Sequence, residues 1–89
     1  MKLKYKINPA FVIQKIGDKI SLFDAEKSIL HTLNETAAHI YQGFQLNLNR
    51  EKIVQKIAAK YRIKEEIAAK DVEELIKEMI VQRILIRSE

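Results

Sequence analysis

The first third of the chain holds short segments rich in apolar and β-branched residues, a pattern that is typical of β-strands, and the middle segment also alternates with a period of two. Three segments carry this pattern, at residues 11–16, 19–23 and 29–33. Gly17 and Asp18 separate the first two segments, and glycine supplies the positive φ that a two-residue hairpin turn requires. A polar break at residues 24–27 precedes the third segment. Connections this short predict an antiparallel meander of three strands.

After residue 33 the apolar spacing changes to that of amphipathic helices. Asn34 is a suitable N-cap, and the glutamate that follows it favours the positive end of a helix dipole. These signals predict a first helix over residues 35–44. Asn49 predicts the N-cap of a second helix, whose apolar stripe ends at Tyr61. A third helix with a wide apolar face is predicted over residues 65–82.

The order of these elements predicts the fold class. Three strands followed by three amphipathic helices are typical of a winged-helix-like α+β fold, in which helices cover one face of a three-stranded antiparallel sheet. A chain of 89 residues has the size of a single domain, here expected over residues 1–89 with a core at about 11–86. Residues 84–86 are apolar, and periodicity leaves open whether they end the third helix or form a short strand.

Composition narrows the cellular setting. The chain has no cysteine, which excludes disulfides and thiolate metal sites and makes a reducing cytoplasm the simplest location. No apolar run reaches the roughly 18 residues that a membrane helix needs, so no membrane partner is expected. The lysine-rich start lacks the apolar region of a secretory signal.

The residue types give no sign of catalysis. An active site requires a nucleophile with a base, an acid–base pair or a metal. His31 and His39 fall on different predicted elements without metal-binding spacing, and such isolated histidines are mostly surface or core residues. Gly17 and Gly43 do not make a glycine-rich phosphate loop. We therefore expect no enzyme activity, no catalytic residues, no metal and no cofactor.

The charges are divided between the last two predicted helices. Residues 65–83 hold six acidic and three basic side chains, a net charge of −3, whereas residues 50–64 hold six basic and one acidic side chain, a net charge of +5. A winged-helix DNA-binding protein shares the fold class and suits the overall charge of +4. However, a helix that enters the major groove should not repel phosphates, so nucleic acid is not the expected partner.

One segment resembles a known family. Leu33-Asn34-Glu35-Thr36 comes directly after the third predicted strand, and the helix that follows continues to Ile40-Tyr41. This pattern resembles the PQQ synthesis protein D family, and the resemblance covers about residues 11–86. Two departures stand out. The family often has glycine in the turn before the third strand and at the end of the third helix, where this chain has Lys27-Ser28 and Arg83.

The resemblance implies a function without catalysis. Members of that family recognise ribosomally made precursor peptides, so the chain is expected to bind a leader segment by strand addition and to present it to a modifying enzyme. The enzyme would be a radical SAM protein, a cyclase or a leader peptidase. Other readings are the DNA-binding protein above and a plain assembly module.

The expected site has two sides. An exposed edge of the third strand would offer unpaired backbone groups, and the third helix would form the opposite wall. The apolar residues of the third helix that would form this wall fit a plain core position at least as well. The expected peptide-binding residues are Ser28, Ile29, Leu30, His31, Thr32, Leu33, Asp71, Val72, Leu75 and Met79.

Overall fold

The computed structural model describes residues 4–17 and 19–88. Over these residues the chain forms five strands and three helices, in the order β1 (Lys4–Ile7), β2 (Phe11–Ile16), β3 (Lys19–Asp24), β4 (Ile29–Leu33), α1 (Glu35–Gln45), α2 (Arg50–Tyr61), α3 (Glu65–Val81) and β5 (Leu85–Ser88). The winged-helix-like α+β class is confirmed, since the three predicted strands and three predicted helices all form, with bounds that differ by at most one residue.

Strands β2, β3 and β4 make one antiparallel sheet in that spatial order. The register pairs Phe11 with Asp24 on one side of β3 and Ile20 with Leu33 on the other. Ile20 and Leu22 are buried, so the face that carries them is the inner face against the helices. The opposite, outer face of the sheet is exposed along β2 and β4.

The first and last strands form a second sheet that the sequence did not predict. β1 pairs antiparallel with β5, with Ile7 opposite Leu85. The apolar tail is therefore a strand rather than an extension of α3, and its Leu85 is fully buried. Tyr5 of β1 packs its ring edgewise on Phe44 of α1, with 6.1 Å between the centroids. This small sheet ties the segments 4–7 and 85–88 to the core.

Helix α3 ends in a left-handed turn despite the absence of glycine. Arg83 has φ 65°, the conformation that glycine adopts most easily. The Ile84 N–H donates to the Met79 carbonyl at 2.8 Å, and the Arg83 N–H donates to the Ile80 carbonyl at 3.0 Å. This is the Schellman pattern of hydrogen bonds. Asn8 Nδ2 donates to the Arg83 carbonyl at 2.8 Å, which holds the turn.

Both predicted asparagine caps form. Asn34 Oδ1 accepts from the Ala37 N–H at 2.8 Å, and Asn49 Oδ1 accepts from the Lys52 N–H at 2.8 Å. Each bond satisfies one of the backbone donors that a helix leaves free at its start. Helices α1 and α2 approach closely at Gly43, where an added Cβ would lie 2.7 Å from Ile53 Cγ1. The missing side chain thus allows this contact.

Candidate functional site

β4 lies at one edge of the three-stranded sheet, and β2 lies at the other. An edge strand has one row of backbone groups without a ladder partner in the sheet. The sequence predicted an exposed edge at this strand, and the strand order places it there.

The register decides which residues of β4 direct their backbone groups outward. Two residues separate the paired Ile16 and Lys19, and a two-residue hairpin closes on a hydrogen-bonded pair. Hydrogen-bonded and non-hydrogen-bonded pairs then alternate along an antiparallel ladder, so β3 directs its groups to β4 at every second residue, beginning with Ile20. It follows that Leu30 and Thr32 direct their N–H and C=O groups away from β3.

Local chemistry fixes where β4 begins. Asp24 Oδ1 accepts from the Glu26 N–H at 3.0 Å and from the Lys27 N–H at 3.3 Å, which closes the turn after β3. Ser28 has φ 55° in the same turn, a conformation that glycine adopts more easily than serine does. Ser28 therefore lies before the ladder, and the backbone edge runs over residues 29–33 rather than 28–33.

The side chains of β4 divide between the two faces of the sheet. Ile29, His31 and Leu33 lie on the inner face, because they pair with the inner-face residues of β3. Leu33 is buried, and the half-buried His31 ring stacks on Phe11 with 5.8 Å between centroids. Leu30 and Thr32 are exposed on the outer face. An added strand would therefore meet side chains of β4 on both faces.

The four predicted residues of α3 fall into two groups. Val72 and Met79 are 0% and 2% exposed, so their side chains belong to the core. Asp71 is exposed and Leu75 is half-buried. Both lie on the flank of α3 that points away from α2, because Glu73, on the opposite flank, forms an ion pair with Arg50 of α2 at 3.2 Å.

The sequence missed the exposed apolar residues of β2 and β3. Val12 and Phe23 lie on the outer face of the sheet, opposite each other and in line with Leu30. The apolar residues of segments 11–16 and 19–23 contain the signal, because each segment has more of them than one buried face needs. It becomes readable only when the register of all three strands is known.

A separate concavity of about 280 Å³ lies between α1 and α2. Gly43, Ile53 and Ile57 are among its apolar lining residues, and Lys56 and Lys60 stand at its α2 side. None of the predicted site residues takes part in it. Strand addition needs a free backbone edge rather than a cavity, so this concavity does not bear on the edge of β4.

The possible metal-ligating side chains do not cluster within residues 4–17 and 19–88. No group of three or more metal-ligating side chains occurs in this part of the chain. His39 Nε2 lies 3.9 Å from Glu35 Oε1, and its ring contacts Tyr61 edgewise. Burial raises the pKa of Tyr41, whose hydroxyl has no hydrogen-bond partner in the core. Across the same residues no helix is long and apolar enough to span a membrane.

Comparisons with known proteins agree with the fold. The family model of coenzyme PQQ synthesis protein D matches residues 20–85. No curated protein sequence matches the chain.

Two solved structures have the same arrangement of elements. One is TbiB1 in complex with the TbiA(beta) leader peptide, which is 21% identical with a TM-score of 0.84, over 90% of this chain and 93% of that chain. The other is lasso peptide synthetase B1 complexed with the leader peptide, which is 18% identical with a TM-score of 0.84, over 92% and 96% of the two chains.

Proposed function

This chain belongs to the family of coenzyme PQQ synthesis protein D, and we propose that it binds the leader segment of a ribosomally made precursor peptide at the edge of β4. The observation that carries the proposal is the free backbone edge of β4 on a fold shared with two leader-peptide complexes. The leader would bind as an extended strand and would be presented to a modifying enzyme.

The backbone of β4 supplies the main contacts. Leu30 and Thr32 each offer one N–H and one C=O outward, so an added strand can form up to four ladder hydrogen bonds with them. Such bonds do not depend on the peptide side chains, and specificity comes from the surfaces beside the edge. On the inner face those surfaces are the exposed Ile29 and the half-buried His31.

In this proposal the exposed flank of α3 would form the opposite wall. Leu75, which is half-buried, would offer an apolar contact there, and the exposed Asp71 an acidic one. Val72 and Met79 support this wall from the core, where they fix the position of the helix. A leader residue that points inward would thus contact apolar surface near Leu75 and would gain from a basic neighbour near Asp71.

The chain's part in biosynthesis is recognition, and the chemistry belongs to a partner. We expect a radical SAM protein, a cyclase or a leader peptidase to modify the bound precursor. The reducing cytoplasm, which the absence of cysteine favours, stays a prediction. The DNA-binding alternative has no support from the comparisons. The six acidic side chains on α3 would repel phosphates at the helix that this fold class places in the major groove.

A binding titration tests the proposal. The probes are overlapping 20-residue synthetic peptides that cover the short open reading frames beside the gene, together with a 20-base-pair DNA duplex, all followed by fluorescence anisotropy. We expect one peptide to bind at micromolar or lower concentration and the duplex to show no binding at about 150 mM salt. A duplex that binds with strong salt dependence, while no peptide binds, would replace peptide recognition with DNA binding.

A further inference from the structure

A row of apolar side chains crosses the outer face of the three-stranded sheet. Val12, Phe23 and Leu30 lie opposite one another in the register of β2, β3 and β4. They are 54%, 37% and 56% exposed, respectively. The next row along the strands is polar, since it consists of Gln14, Ser21 and Thr32. The apolar row therefore has a sharp boundary, and Leu30 ends it at the free edge of the sheet.

Packing within the sheet buries only part of the three side chains in this row. Cross-strand contacts between aromatic and branched side chains stabilise an antiparallel pair. They leave more than a third of each of the three side chains exposed. Single exposed apolar residues are common, but three in one row beside a free edge mark a contact surface.

The geometry of strand addition determines which peptide side chain lies beside Leu30, at the end of the apolar row. A strand that pairs with β4 places every second side chain on the outer face. The residue opposite Leu30 then has its Cβ about 4.5–5.5 Å from the Leu30 Cβ, and the outward residue two positions away lies opposite Thr32. A peptide bound at this edge must therefore extend both rows, whatever its sequence.

We propose that the leader peptide carries an apolar side chain in register with Leu30 and a polar one in register with Thr32, so that the outer face of the sheet selects the peptide. Leu30 makes the contact, and Phe23 behind it holds the Leu30 side chain at the edge. This inference rests on the proposed function, because it requires the leader to lie along β4. It adds a second set of specificity contacts to those of the inner face and α3.

The test is a double-mutant cycle between chain and peptide. The probe is the peptide that binds most tightly in the titration above, with each apolar residue changed in turn to Asp. We expect Asp at one apolar position to weaken binding about tenfold or more, because it places a charge beside Leu30. Leu30→Lys should weaken binding of the parent peptide by a similar factor and should restore most of the loss for that one Asp peptide.

Ile16→Lys is the matched control. Ile16 is an exposed apolar residue of the same outer face, but it lies on β2, away from the peptide edge. Its substitution should leave the affinities of all the peptides unchanged within about twofold. Leu30→Thr, which keeps a residue suited to strands, serves as the second variant if Leu30→Lys fails to fold by circular dichroism. It should weaken binding of the parent peptide and should reduce the loss at the one apolar position.

The outcomes separate this inference from the function on which it rests. If Thr32→Pro abolishes peptide binding and no peptide position couples to Leu30, the leader lies at β4 but the outer face does not select it. The inference is then wrong and the proposed function stands. If Ile16→Lys couples to the peptide as strongly as Leu30→Lys does, the effect is general electrostatics and the inference is again wrong. If no peptide binds the wild-type chain, both are wrong.

Discussion

Proline substitutions at the two edges of one sheet can show whether the leader pairs with β4. Thr32→Pro removes a backbone N–H that points away from β3, toward the proposed peptide. Ile13→Pro is its counterpart at the other edge, because Ile13 pairs with Leu22, and the same alternation turns the Ile13 N–H away from β3. Both residues are exposed in mid-strand, so the two substitutions should disturb the isolated fold to a similar extent.

The size of the effect follows from the hydrogen bonds that are lost. Thr32→Pro removes one ladder bond with the peptide, worth about 1 kcal/mol, and leaves a peptide carbonyl without its donor, which costs about 1–3 kcal/mol if the carbonyl is desolvated. The sum of about 2–4 kcal/mol corresponds to an affinity lower by a factor of about 30 to 1000. Ile13→Pro should change the affinity by less than about twofold, because its N–H faces solvent with or without peptide.

His31→Pro completes the set. The N–H of His31 points into the ladder with β3, opposite Leu22, and its ring stacks on Phe11. Proline there should lower the thermal stability of the chain more than Thr32→Pro does. The assay is a peptide titration by fluorescence anisotropy, with folding checked by circular dichroism. If folded Thr32→Pro binds like wild type, or if Ile13→Pro loses the peptide instead, strand addition at β4 is wrong.

Three further predictions concern stability, measured by thermal unfolding with circular dichroism. Arg83→Gly should stabilise the chain by about 0.5–1 kcal/mol, because φ at this residue is 65° and glycine adopts that conformation without steric strain. Arg83→Ala keeps the strain and should not stabilise the chain. Equal melting temperatures for the two variants would contradict this prediction. Gly43→Ala should destabilise the chain by about 1–3 kcal/mol despite the better helix propensity of alanine, because the added Cβ would lie 2.7 Å from Ile53 Cγ1. An unchanged melting temperature would show that Ile53 moves away at little cost. Tyr41→Phe should stabilise the chain by about 1 kcal/mol, because it removes a buried hydroxyl without a partner. Burial raises the pKa of Tyr41 above 10.0, so this hydroxyl ionises at lower pH in the unfolded chain than in the folded one. The stability of the wild type should therefore fall as pH rises past 10, and that of Tyr41→Phe should fall less. Parallel plots of stability against pH for the two proteins would refute this.

Local signals in the sequence determined most of the elements. The three strands and both asparagine caps depend on neighbouring residues, and the structure has both caps and has the strands within one residue of the predicted bounds. Of the predicted turn between the first two strands, Asp18 lies outside the described residues. The family could also be recognised from local sequence, because the segment Leu33-Asn34-Glu35-Thr36 and the helix after it are continuous in the chain. These features need no long-range contact to be recognised.

The tertiary structure decided the features that depend on residues far apart in the chain. The pairing of β1 with β5 joins residues about 80 positions apart, and no periodicity reports such a partner. The burial of Val72 and Met79, as against the accessible Leu75 and Asp71, depends on which flank of α3 packs on α2. Apolar spacing alone does not distinguish core from binding surface.

The sequence predicted an edge at β4, but it left open which of its backbone groups are free. Alternation restricts them to Leu30 and Thr32 or to Ile29 and His31, and a shift of one residue in the pairing exchanges the two sets. The register of β4 on β3, counted from the hairpin pair Ile16 and Lys19, selects Leu30 and Thr32. The sequence thus determined which strands form, and the pairing between strands determined which atoms a peptide can reach.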